Sequence, residues 1–104
     1  MSDRNLKRDI APVDEQAVLE TVARLPISTW SYRKDDPGVR HMGPMAQDFK
    51  AAFELGDTDR SYNPVDAHGV ELAAIQALYE RVQAQEARIE RLEKENTGLR
   101  ATCR

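Results

Sequence analysis

The sequence predicts an α+β protein. A small globular unit of short strands and two short helices spans residues 1–69, and a long C-terminal helix spans residues 70–104 and forms a parallel coiled coil. Three observations carry that prediction. All five prolines and four of the five glycines lie at or before Gly69, the punctuation of short elements joined by turns. From Val70 to Arg104 there is no proline and one glycine, Gly98, and helix-forming Ala, Glu, Gln, Arg and Leu dominate. Within that tail apolar residues recur in alternating steps of three and four.

Asp14 is placed to cap a helix over Glu15–Leu25, with Ala17, Val18, Val22 and Leu25 on one face and Pro26 ending it. Ile27–Arg33 is β-branched and aromatic, with Trp30 and Tyr32 on the same side, and reads as a strand. Lys34–Gly38 is a turn by composition, and Val39–Gly43 a short return strand. Pro44 suits the first turn of a second helix, with Met45, Phe49, Ala52 and Phe53 on one stripe and Gly56 as its stop. Ser61–Val65 reads as extended and Asp66–Gly69 as a turn. A unit this small buries only about 60% of its unfolded surface, so association is expected to stabilise it.

In the tail, Ile75 at heptad position a places Leu78 at d, Val82 at a, Gln85 at d, Ile89 at a, Leu92 at d, Asn96 at a, Leu99 at d and Cys103 at a. Six of these nine are Ile, Leu or Val, the pattern of a coiled-coil seam. In a parallel coil a g residue faces the e residue five positions later on its neighbour. The pairs Arg81–Glu86, Arg88–Glu93 and Glu95–Arg100 are all opposite in sign. Such exposed pairs each contribute only tenths of a kcal/mol, so they select orientation more than they stabilise. The seam alone leaves dimer and trimer nearly level: Ile and Val at a, Leu at d and Asn96 favour two strands, and Gln85 favours neither.

Several function classes are disfavoured. The net charge of −3 offers no basic excess for neutralising phosphates, and no basic region precedes the coil, so nucleic acid is not an expected partner. No apolar run approaches the roughly 20 residues of a membrane span, and Met1–Asn5 has no apolar core of a secretory signal. Cys103 stands alone, which excludes an intramolecular disulfide framework and a multi-cysteine zinc site. His41 and His68 sit near glycines without ligand spacing, so neither metal nor cofactor is expected. Ser2 and Lys7 supply the one candidate nucleophile and base. A lysine serves as base only when its pKa falls from about 10.4 towards 7–8. Five residues apart, the two lie roughly 140° apart on a helix and on opposite faces of a strand. Their meeting therefore needs a loop or a neighbouring subunit.

Three segments in order carry a resemblance. Ser2-Asp3-Arg4-Asn5-Leu6-Lys7-Arg8-Asp9-Ile10 resembles the opening "SDRxLKxxI" of the self-cleaving intramolecular chaperones. These serine–lysine autopeptidase domains end phage tailspikes and tail fibres of the endosialidase type and occur in relatives such as the myelin regulatory factor. Arg40–Phe49 is similar to the family's "H-x-G-x-x-A-Q-[DE]" segment, and Val70–Leu78 to its closing "LxAAIQEL" helix.

The resemblance implies a homotrimer that helps fold an upstream β-helical or β-rich shaft and is then released by a cut just before the serine. By position Ser2 would be the nucleophile and Lys7 its base. It also implies the host bacterial cytoplasm during phage assembly as the site of action, with the shaft destined for the virion tail. Only Met1 precedes Ser2, so this chain is expected to be the liberated product. Arg33, Lys34 and Asp57–Arg60 are candidates for shaft contact by composition. Two other readings compete: a non-catalytic trimerisation and attachment module that stays on its shaft, and a cytoplasmic coiled-coil adaptor.

Overall fold

The computed structural model describes residues 1–102; Cys103, expected at an a position, lies outside them. The chain is α+β. A single 3₁₀ turn at Arg4–Leu6 precedes helix α1 (Glu15–Arg24), strands β1 (Ser28–Trp30) and β2 (His41–Gly43), helix α2 (Ala46–Phe53) and the long helix α3 (Pro64–Thr102). The Cα radius of gyration is 21.1 Å and the extents are 73 × 42 × 21 Å. A compact chain of this length would have a radius near 13 Å. The difference is α3, whose 39 residues run about 58 Å at 1.5 Å per residue.

Asp14 caps α1 as expected, its carboxylate accepting from the Ala17 amide at 3.2 Å. Leu25 falls just beyond the helix, in extended geometry, ahead of Pro26. The expected apolar face is displaced. Leu19 is the buried residue of α1, Val22 packs beside it, and Ala17 is exposed. The reason is the partner: α1 lies on α3, where Ala74 and the fully buried Ala77 let the two backbones approach.

The strands are shorter than the sequence suggests. They pair antiparallel in the register Ser28–Gly43, Thr29–Met42 and Trp30–His41. Beyond Trp30 the chain leaves the ladder, and side chains tie the loop instead. The Ser31 hydroxyl donates to the Val39 carbonyl at 2.8 Å, and the Arg40 guanidinium donates to Ser31 and Thr29. Trp30 and Tyr32 still meet, edge to face at 4.8 Å.

Pro44 does not open α2. The helix starts at Ala46, with Met45 as its uncapped boundary. Of the expected stripe only Phe49 is buried, stacked on Tyr62 at 4.7 Å and packed on Phe53 at 5.0 Å, while Ala52 and Met45 are exposed. A Cβ at Gly43 would stand 3.3 Å from the Tyr62 hydroxyl, so the small residue lets this stack close over β2. The C-cap is Glu54 in the left-handed region (φ 54°), and Gly56 (φ 77°) completes the turn.

The largest departure is the start of α3. The extended piece at 61–65 and the turn at 66–69 are not there as expected; the helix begins at Pro64 and runs through Gly69. Asn63 is the reason. Its side-chain oxygen accepts from the Val65 amide at 2.9 Å and its carbonyl accepts from the Asp66 and Ala67 amides. Pro64 loses nothing at the first helical position, where its missing N–H would be unpaired anyway. Gly69 costs the helix about 1 kcal/mol relative to alanine, and nothing lies within 4 Å of where its Cβ would stand.

Candidate functional site

Residues 1–14 are all exposed, and among the described residues no hydrogen bond joins 1–13 to the rest of the fold. Yet this segment is ordered locally. Asp3 stands in extended geometry with its carboxylate accepting from the Asn5 amide at 3.0 Å. The Leu6 amide then donates to the Asp3 carbonyl at 3.1 Å, and the Lys7 amide to the Arg4 carbonyl at 3.2 Å. Lys7 leaves the turn extended (φ −113°, ψ 152°).

This turn brings together the two residues singled out in the sequence. The Lys7 Nζ donates to the Ser2 Oγ at 2.7 Å, within one chain. Five extended residues would separate their Cα atoms by roughly 16 Å; the 3₁₀ turn folds that path back. An amine holding its proton donates to the hydroxyl, and one that has lost it accepts the hydroxyl's proton at the same separation. The arrangement places a hydroxyl within proton-transfer distance of an amine. Around it, Arg8 and Asp9 form an exposed pair at 3.8 Å, and Asp9 takes a left-handed conformation (φ 55°).

The remaining candidates fall elsewhere. His41 packs on Trp30 at 5.0 Å and Tyr32 at 5.4 Å, an aromatic cluster on the hairpin. His68 lies exposed in the second turn of α3. Among the described residues no three of His, Cys, Asp and Glu gather as a metal site. Arg60 lines an open cleft with Trp30, Tyr32, Met45 and Tyr62; Lys34 lies 5.9 Å above the Tyr32 ring.

On α3 two faces separate. Val70, Ala74 and Ala77 are buried towards the chain's own globular part. The seam residues Ile75, Leu78, Val82 and Ile89 lie about a quarter-turn from these, and Leu92 and Leu99 follow further along the helix; all six are open, each 46–64% exposed. Arg81 belongs to the inner face. Its guanidinium donates to Gln16 Oε1 at 2.6 Å and to Glu20 at 3.1 Å, while the Gln16 amide donates to the Ala77 carbonyl at 3.1 Å. Expected to face Glu86 of a neighbour, Arg81 is held instead by α1. The sequence pattern hides this clamp because its partners lie more than sixty residues away.

No curated protein matches the chain at a significant level. A family model described as the chaperone of endosialidase matches residues 2–55. The match opens on Ser2, spans the Ser2–Lys7 turn and the Arg40–Phe49 segment, and covers just over half of the chain. The chain belongs to the chaperone of endosialidase family and is an intramolecular chaperone domain of the phage-tail kind.

Proposed function

We propose that this domain trimerises through α3, assists the folding of an upstream β-rich tailspike or tail-fibre shaft, and is then released by a single cut before Ser2. The observation that carries the reading is the 2.7 Å contact between Lys7 Nζ and Ser2 Oγ. The exposed apolar seam of α3 supports the assembly step, since six such side chains on one stripe ask for partner helices.

The chemistry is an acyl transfer. Neutral Lys7 takes the Ser2 hydroxyl proton as Oγ attacks the carbonyl carbon of the residue before it. The carbon–nitrogen bond breaks, the Ser2 nitrogen takes a proton and leaves as an amine, and the upstream chain sits briefly as an ester on Oγ. One water hydrolyses that ester, giving an upstream carboxylate and restoring the hydroxyl. Covering an amine disfavours its charged form. A neighbouring copy packed over this exposed turn would thus supply the base, tying the cut to assembly. The reaction would take place in the host cytoplasm as the shaft is built, before the shaft joins the virion tail.

The test is a precursor carrying the shaft ahead of Ser2. Ser2→Ala and Lys7→Met should each leave a full-length, still trimeric product. Normal cleavage in either variant removes that residue's assignment. A wild-type precursor that matures uncut would instead make the domain a permanent attachment module.

A further inference from the structure

We infer that Asp3 is the positioning residue of the Ser2–Lys7 pair, acting through the turn it starts and not through its charge. The inference rests on the proposed cleavage. Ser2 and Lys7 meet only because the chain between them folds into one 3₁₀ turn. A single such turn is marginal by itself, because few hydrogen bonds offset the dihedrals it fixes.

Elsewhere in a fold, packing would impose the conformation. Here it does not: Leu6 and Ile10 are 66% and 71% exposed, and no hydrogen bond among the described residues reaches this segment from α1, α2 or α3. Apart from the Ser2–Lys7 contact that it brings about, the turn is held by two backbone bonds and one further side-chain bond, the Asp3 carboxylate on the Asn5 amide at 3.0 Å. Backbone bonds survive most substitutions; the side-chain bond depends on what stands at position 3. A capping Asp or Asn replaced by Ala loses an acceptor that an Asn would keep. Asp3 touches neither Ser2 Oγ nor Lys7 Nζ among the hydrogen bonds of the site, so its part is geometric.

The experiment compares cleavage rates of precursors carrying Asp3→Ala, Asp3→Asn and Ser2→Ala, with copy number measured alongside. Asp3→Ala should assemble normally and be cut about five-fold more slowly, the drop in turn population that loss of a typical cap implies. Asp3→Asn keeps the oxygen and should be cut within about two-fold of the unmodified rate. In the chain itself, amide exchange at Asn5 should quicken by a similar factor in Asp3→Ala and not in Asp3→Asn. Asp3→Ala cut at the full rate overturns this inference alone. Asp3→Asn as slow as Asp3→Ala overturns it too, since charge and not the cap would then matter. A Ser2→Ala precursor that is still cut overturns the nucleophile assignment and takes this inference with it.

Discussion

Replacing Ile89 and Leu92 together by alanine separates an assembling helix from a solitary one, because the two accounts predict opposite signs. The two side chains are 54% and 48% exposed. Fully burying such a residue is worth about 1.5–3 kcal/mol, so covering the exposed half contributes about 1 kcal/mol each. Two positions in three copies give about 6 kcal/mol per trimer, roughly four decades in its dissociation constant. In a lone helix the same change would gain a few tenths of a kcal/mol, since alanine is the better helix former. Sedimentation equilibrium across micromolar concentrations reads the difference. The variant should dissociate where the unmodified chain stays assembled. A double variant with unchanged mass and an unchanged or higher melting temperature would refute the seam.

Two further substitutions examine the inner face of α3. Ala77→Leu places three extra carbons where the side chain is fully buried against Leu19, and should cost about 1–3 kcal/mol in thermal unfolding; an unchanged midpoint would mean that α1 does not pack there. Arg81→Ala removes an ion pair whose two side chains are 46% and 57% exposed, so its cost should stay within about 1 kcal/mol, with copy number unchanged. Loss of assembly in that variant would return Arg81 to the interchain pairing with Glu86.

The order of elements was legible from the chain because local signals fixed it. Asp14 announces α1, Pro26 follows its end, and the aromatic run around Trp30 marks β1. What escaped was decided by competing signals or by distance. Asp66-Ala67-His68-Gly69 has turn composition, yet Asn63-Pro64 just before it is a helix start, and the capping bonds won. Leu19 hid as the core residue of α1 because the choice of face lay with Ala74 and Ala77 on α3. The Ser2–Lys7 contact escaped periodicity for a different reason. Neither a helix nor a strand joins residues five apart, and the turn that does begins at Asp3, whose side-chain oxygen caps it.

Native mass spectrometry of a matured wild-type precursor tests self-release by an assembled domain most directly. The expected result is one released species of three identical chains, each beginning at Ser2, separate from the shaft. A full-length uncut chain, a different first residue, or a released domain that flies as single molecules would contradict it.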